Sequence, residues 1–257
     1  MCKVNKEVKR VLDSLNVVSN DMKIFSPWSV GYVSQLITQE SFDDFEEWSE
    51  WYYRSGEERK KKISQLDSHY RVKLLQYDLP KSEIQALPQE IRELNYNYGR
   101  TREELIQIAM CLYAVGLERK CILSGDLPYA MNVPVIRILQ DTWTGIMERE
   151  RNTVATLAKA YQHIDFVELK GEKDMRYGVD YEVFHDGQLI CGLQIKPESY
   201  KSNSYAVRRA KRTDELKYAD YKREFGVPVI VAMSSRGGSI RNFEFYSQFN
   251  KLLSDVE

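Results

Sequence analysis

The sequence is poor in the residues that build metal-rich and disulfide-rich proteins. Its 257 residues include only four cysteines and three histidines. The cysteines are widely separated, so no pair has the C-x2-C spacing of a zinc site and no disulfide framework is indicated. No stretch approaches the roughly 18 apolar residues that a membrane helix needs, and the N-terminus lacks an apolar signal core. We therefore expect a soluble, cytoplasmic protein with no membrane partner.

The chain also lacks an excess of charge of either sign. Lys and Arg total 37 against 38 Asp and Glu, which excludes a histone-like polycation but leaves local basic faces open. Hydrophobic residues make up 43% of the chain and charged residues 29%, so the chain can bury a sizeable core and is not disordered throughout. The length allows one large domain or two modest ones.

The N-terminal half, residues 1–140, is predicted to be largely helical. Ser26-Pro27 is typical of a helix start, and an aromatic-rich amphipathic segment is expected to end at Gly56. Thr101 and Glu104 have the spacing of a capping box, in which each side chain satisfies the other residue's backbone N–H.

The C-terminal half, residues 141–257, changes to short strand-like runs. Asp186-Gly187 is a strong hairpin signal between two of these runs. Strands are predicted at 164–169, 179–184, 189–196 and 227–233, and a long helix is predicted at 204–225. The order predicts an α/β fold with a mixed central β-sheet flanked by helices, beside a largely helical N-terminal region.

Three polar side chains stand at the same end of the predicted hairpin. Asp180 enters its first strand, whereas Gln194 and Lys196 end its second strand, so antiparallel pairing brings the three together. Residues 194 and 196 share one sheet face because side chains alternate with period two, and Ile195 points into a core. On the preceding helix, Glu150 lies on an otherwise apolar stripe, where a carboxylate needs a partner or a metal.

Such a cluster suits a hard cation such as Mg²⁺, which takes oxygen ligands and keeps several waters. Asp180 supplies a carboxylate, Gln194 a side-chain carbonyl and Ile195 a main-chain carbonyl. Lys196 next to the cation can orient a hydroxide and offset charge that develops on a phosphate. The alternative interpretation is an ion pair between Lys196 and Asp180 at the sheet edge.

Gly178-Val179-Asp180 followed by Gln194-Ile195-Lys196 resembles the catalytic hairpin of the PD-(D/E)XK nuclease superfamily. The helix that carries Glu150, and the helix and strand after the hairpin, match the order of that family's restriction-endonuclease-like core. With Tyr98-Gly99-Arg100-Thr101 and Pro197 included, the chain resembles type II restriction endonucleases of the MjaI kind.

The resemblance implies that Asp180 binds the metal and that Lys196 is the catalytic lysine. Gln194 stands where the family usually has an acidic residue; the substitution recurs in the superfamily, and we expect it to weaken metal affinity and to increase reliance on Glu150. Glu148 is the alternative helix carboxylate. The resemblance further implies Mg²⁺-dependent cleavage of double-stranded DNA at a short specific site by a homodimer, with residues 1–140 serving DNA recognition, dimerisation or both and residues 141–257 forming the catalytic core.

The segment after the hairpin is locally basic. Between Lys196 and Arg223 there are nine basic residues and four acidic ones. We expect four of the basic residues to contact DNA phosphates: Lys201, Arg208, Arg209 and Arg212. A solvated helix face is the simpler alternative. Two other functions remain open, namely a DNA-binding protein without catalysis and another DNA-processing nuclease on the same core, such as a junction resolvase or a repair nickase.

Overall fold

The computed structural model of the protein describes most of the chain as two compact units. The described residues are 6–22, 33, 36–75, 81–169 and 172–256. The predicted helix start at Ser26-Pro27 lies outside them. The first unit comprises Met1–Ile37 and Phe42–Thr142, and the second comprises Thr38–Ser41 and Trp143–Glu257. Within the described residues, no helix combines the length and the apolarity needed to cross a membrane.

All regular secondary structure in the described part of the first unit is helical. Helices α1 to α6 are Lys6–Met22, Phe45–Ser64, Ser68–Leu74, Lys81–Ala86, Gln89–Tyr96 and Arg102–Glu118. A run of short helical turns then covers Ser124–Asp126, Leu127–Ala130, Val133–Val135 and Ile136–Gln140, and the next turn, Asp141–Gly145, begins in the first unit and ends in the second. The predicted capping box at the start of α6 is confirmed: the Thr101 hydroxyl accepts the Glu104 N–H, and the Glu104 carboxylate accepts the Thr101 N–H.

The predicted helix end at Gly56 is wrong, because α2 continues to Ser64. Gly56 is buried in the middle of this helix, where a Cβ atom would lie 2.3 Å from the carbonyl carbon of Arg100. Glycine is present there because another segment of backbone crosses the helix at close range.

A buried ionic cluster joins four helices of the first unit. Arg59 of α2 is 1% exposed, and its guanidinium lies 2.8 Å from the Glu104 carboxylate of α6. The same guanidinium donates to the Asn95 side chain and to the carbonyls of Leu94 and Leu74. Asn95 also accepts from Arg100.

The described residues of the second unit include four strands and the four α-helices α7 to α10. In chain order they are α7 (Met147–Ala160), β1 (Ile164–Glu168), α8 (Glu172–Tyr177), β2 (Tyr181–His185), β3 (Gln188–Pro197), α9 (Tyr205–Phe225), β4 (Val229–Ser234) and α10 (Phe243–Ser254). The sheet order is β1-β2-β3-β4, with antiparallel pairing except between β3 and β4, which are parallel. The predicted α/β class with a mixed sheet flanked by helices is therefore confirmed.

Local sequence signals explain the hairpin and the helix after it. Asp186 and Gly187 both have positive φ angles (48° and 78°), as the tight turn between β2 and β3 requires. Ser204 caps α9 through its hydroxyl, and Gly226 ends this helix in the left-handed conformation.

Helices pack around the sheet through two buried apolar clusters. In the larger one, Leu157 of α7 and Phe249 of α10 join strand residues that include Val183 and Ile195. In the smaller one, Tyr177, Val179 and Tyr221 of α9 pack together, and a Cβ on Gly192 would lie about 3.1 Å from both Val179 and Tyr221. Gly192 shares its sheet face with residues 194 and 196. Helix α9 therefore packs on the face that carries Gln194 and Lys196.

Candidate active site

Asp180 and Gln194 meet at one end of the hairpin. Asp180 lies just before β2, and its N–H donates to the Leu193 carbonyl of β3 at 2.9 Å. The Gln194 amide nitrogen donates to both carboxylate oxygens of Asp180, at 2.7 and 2.8 Å. Both side chains are buried, with exposed fractions of 7% and 6%. The structure thus brings the acid and the amide into direct contact.

The backbone of Ile195 also faces Asp180. Its N–H donates to the Asp180 carboxylate at 2.5 Å, while its side chain is buried in the core, as predicted. The Gly192 N–H points the opposite way, toward the Pro228 carbonyl next to β4. In a strand, the N–H and C=O of one residue point to the same side. The Ile195 carbonyl is therefore on the side of Asp180.

Lys196 is paired, but not with Asp180. Its ammonium lies 3.1 Å from the carboxylate of Asp214, a residue of α9, and both side chains are largely buried. The positive charge of Lys196 nevertheless lowers the pKa of Asp180, so the two groups interact electrostatically. The ion pair considered from sequence therefore forms with a different aspartate.

Glu150 belongs to the same group of charges. It lies in the first turn of α7, and burial raises the pKa of its carboxyl well above the usual range, with the charge of Asp180 as the next cause. Glu148 is in the same turn, and the interaction with Asp180 involves Glu150. The structure therefore favours Glu150 as the helix carboxylate.

Burial and mutual repulsion disfavour the charged forms of these carboxyls. Burial and the charge of Asp174 raise the pKa of Asp180 to about 8, although the Ile195 N–H, Lys196 and Gln194 act against the shift. Burial also raises the pKa of Asp174 to about 6, against the charges of Lys217 and Lys196. In the metal-free protein, Asp180 therefore binds a proton more readily than an exposed aspartate does.

The donor set fits a cation that needs few protein ligands. Among the described residues, no three His, Cys, Asp or Glu side chains are grouped closely enough to hold a metal ion. Mg²⁺ is usually held by one or two carboxylates and retains waters, so Asp180 and Glu150 suit it. The side-chain oxygen of Gln194 is buried without a hydrogen-bond partner and faces Gly178. Rotation of this amide by half a turn would direct the oxygen toward Asp180, so a carbonyl ligand at Gln194 stays a prediction.

The four basic residues expected to contact DNA are exposed. Arg208, Arg209 and Arg212 lie in the N-terminal half of α9, and the Arg208 guanidinium donates to the Asn203 carbonyl at 2.7 Å. Lys201 lies in the helical turn after β3, where its ammonium donates to the Arg241 carbonyl at 2.6 Å. Their positions are compatible with phosphate contact and equally with a solvated helix face.

Several residues of the site escape sequence reasoning. Asp174 lies in α8, a short helix that the sequence does not predict, and Glu168 ends β1; the charges of both raise the pKa of Glu150. A carboxylate at the end of β1, one strand from Asp180, is the signal that identifies Glu168. Asp214 stands in a basic segment, where its sequence context resembles that of any surface acid.

No protein-family model, curated protein or solved structure matches the chain.

Proposed function

We propose that the protein is a cytoplasmic, Mg²⁺-dependent endonuclease that cleaves double-stranded DNA at a short specific sequence, as type II restriction endonucleases of the PD-(D/E)XK superfamily do. One observation carries the proposal: the buried carboxyl of Asp180 is held by Gln194 and Ile195 at one end of a β-hairpin, and it interacts electrostatically with Lys196 and with Glu150 of α7. Buried carboxyls with raised pKa values are typical of functional sites.

Each side chain of the site has its own role in the proposed hydrolysis of a phosphodiester. Asp180 and Glu150 would hold the cation, and the hydrogen bonds from Gln194 and Ile195 keep the Asp180 carboxylate oriented. A bound Mg²⁺ would supply Lewis acidity and lower the pKa of a coordinated water. The ammonium of Lys196 would stabilise the negative charge that develops on the phosphate.

The DNA is held by surfaces outside this cluster. Lys201, Arg208, Arg209 and Arg212 supply a positive, sequence-independent contact with the phosphates. We further propose that two copies act as a homodimer, each cutting one strand, and that the helical first unit reads the bases, forms the dimer contacts or does both.

A DNA-binding protein without catalysis is the second candidate. It is favoured by the contact between Gln194 and Asp180, in which the amide satisfies both carboxylate oxygens without a cation. In that case Gln194 replaces the metal rather than binding it.

Digestion of a mixed DNA of known sequence separates these functions. The protein is incubated with Mg²⁺ or with EDTA, the fragment ends are mapped, and Lys196→Met serves as the control. We expect ends that share one short palindromic sequence, only with Mg²⁺ and only for the unsubstituted protein. If the protein binds DNA but cuts it with none of the divalent metals supplied, it is instead the non-catalytic DNA-binding protein. Cutting restricted to branched or nicked DNA would identify another DNA-processing nuclease.

A further inference from the structure

Lys196 is held from two directions by residues that follow it in the chain. Asp214 of α9 lies 3.1 Å from its ammonium, and the ring of Tyr200 lies 5.5 Å away, within the range of a cation–π contact. Tyr200 stands in the helical turn Glu198–Lys201, directly after β3. Both partners of Lys196 therefore come from the segment that follows β3 in the chain.

Both partners are themselves connected. The Tyr200 hydroxyl donates to the Asp214 carboxylate at 2.7 Å, and it uses the same oxygen that faces the Lys196 ammonium. Burial and the carboxylate of Asp214 raise the pKa of Tyr200, so the hydroxyl keeps its proton and remains a donor. This hydrogen bond restrains the rotation of the carboxylate and thereby the position of the ammonium that it holds.

Burial and the positions of the neighbouring acids make Asp214 the ion-pair partner of Lys196. Asp214 and Lys196 have side chains that are 14% and 22% exposed, so water screens their attraction much less than at the surface. The adjacent acid Glu215 is exposed, and Asp180 is occupied by Gln194 and Ile195. Among the acids near Lys196 that the structure describes, Asp214 is the one in ion-pair contact with its ammonium.

We propose that Asp214 is the positioning residue for Lys196 and that Tyr200 orients Asp214 for this role. The proposal rests on the proposed nuclease function, because it adds two residues to that site. A flexible lysine that is held before the substrate arrives needs no ordering during the reaction, so the pairing raises the rate of the chemical step rather than the affinity for DNA.

The kinetic test uses Asp214→Asn, Asp214→Glu and Tyr200→Phe, with Glu215→Gln as the matched control on the same helix. DNA affinity is measured with Ca²⁺ in place of Mg²⁺, and cleavage is measured in single-turnover experiments with Mg²⁺. We expect Asp214→Asn to slow cleavage about 10- to 100-fold, Tyr200→Phe about 3- to 10-fold, and Asp214→Glu to recover part of the loss. DNA affinity should stay within about twofold throughout. Unchanged or faster cleavage by Asp214→Asn would overturn the proposal.

A second readout does not depend on cleavage. The metal-free, DNA-free protein is labelled with an amine-acetylating reagent, and modification of Lys196 is measured by peptide mass spectrometry against the exposed Lys222. Asp214→Asn should increase labelling of Lys196 severalfold, whereas Glu215→Gln should not. If the protein does not cut DNA but this increase occurs, the nuclease function is wrong and the pairing stands. If the protein cuts DNA and labelling of Lys196 does not change, Asp214 does not hold this lysine.

Discussion

The two units of the molecule bury charged groups in opposite ways. In the first unit, the Arg59 guanidinium faces the Glu104 carboxylate at 2.8 Å and also donates to Asn95 and to two carbonyls. In the second unit, burial and neighbouring carboxylates raise the pKa values of Glu150, Asp174 and Asp180. The first cluster is complete without a ligand, whereas the second is electrostatically unfavourable when its acids are ionised.

This difference separates a structural role from a functional one. A buried charge with opposite charge and hydrogen bonds around it stabilises one arrangement of the helices. Buried acids that repel one another lower stability unless they bind protons or a cation, so they suit a site that takes a metal. Substitutions in the two clusters should therefore have opposite consequences for stability.

The largest effect is expected at Arg59. Arg59→Met should destabilise the first unit by about 3–5 kcal/mol, because it leaves the Glu104 carboxylate buried without its cationic partner. Urea unfolding followed by tryptophan fluorescence measures the loss, since Trp48 and Trp51 lie on the same helix. Arg54→Ala, at an exposed position of α2, is the control and should change stability by no more than about 0.5 kcal/mol. A loss below about 1 kcal/mol for Arg59→Met would show that the cluster does not stabilise the unit.

The second unit should lose stability as the pH rises. Because the folded-state pKa of Asp180 is raised to about 8 from an ordinary value near 4, the folded protein binds a proton that the unfolded chain has released. Stability from this group is therefore present in full below pH 4 and is lost as the pH rises through 8. We expect the metal-free protein to lose about 2–3 kcal/mol between pH 6 and pH 9, measured by urea unfolding.

Asp180→Asn should remove most of this pH dependence, because asparagine does not titrate. The dependence that remains should come from Glu150 and Asp174. A wild-type protein that is equally stable at pH 6 and pH 9 would show that the Asp180 carboxyl is not held in its protonated form.

Magnesium should reverse the loss at high pH. At pH 9 the carboxyls are ionised and free to bind a cation, so millimolar Mg²⁺ should stabilise the second unit by about 1 kcal/mol. At pH 6 protons compete for the same oxygens and the effect should be close to zero. Thermal unfolding with and without Mg²⁺ measures both, and stabilisation that persists in Asp180→Asn would place the binding site elsewhere.

The smallest effect is expected on α9. Arg208→Ala and Arg212→Ala should each weaken DNA binding by about 0.5–1 kcal/mol and reduce the dependence of log K on log salt by about one. Arg223→Ala is the control, because Arg223 lies at the other end of the helix and pairs with Asp220. Salt titrations followed by fluorescence anisotropy measure the slope of log K for DNA binding against log salt concentration. Equal effects of Arg208→Ala and Arg223→Ala would show that this face of α9 is solvated and does not contact DNA.

Local signals in the sequence predict much of the second unit. The turn at Asp186-Gly187 predicts the hairpin, because only a few residue types adopt two successive positive φ angles. The pairing of β2 with β3 then shifts by one residue between Val183 and Phe184, and this bulge, which the turn does not predict, sets Asp180 opposite Gln194. In the first unit, the capping box at Thr101 is predictable for the same reason, because it joins residues only three positions apart.

Contacts between distant segments could not be predicted in this way. Gly56 has the sequence context of a helix end, but it is required by the backbone of Arg100, 44 positions away. Asp214 pairs with Lys196 because the chain turns back after β3, and no pattern within α9 distinguishes it from Glu215. Sequence periodicity identifies which residues share an element, whereas the partner across the fold depends on packing.

The most direct test of the proposed site is the cleavage of duplex DNA by three proteins at equal concentration: the wild type, Asp180→Ala and Lys196→Ala. Cleavage in Mg²⁺ and DNA binding in Ca²⁺ are measured on the same substrate. We predict that only the wild type cuts and that all three bind with similar affinity. Equal cutting by all three proteins would contradict the assignment of this hairpin as the catalytic site.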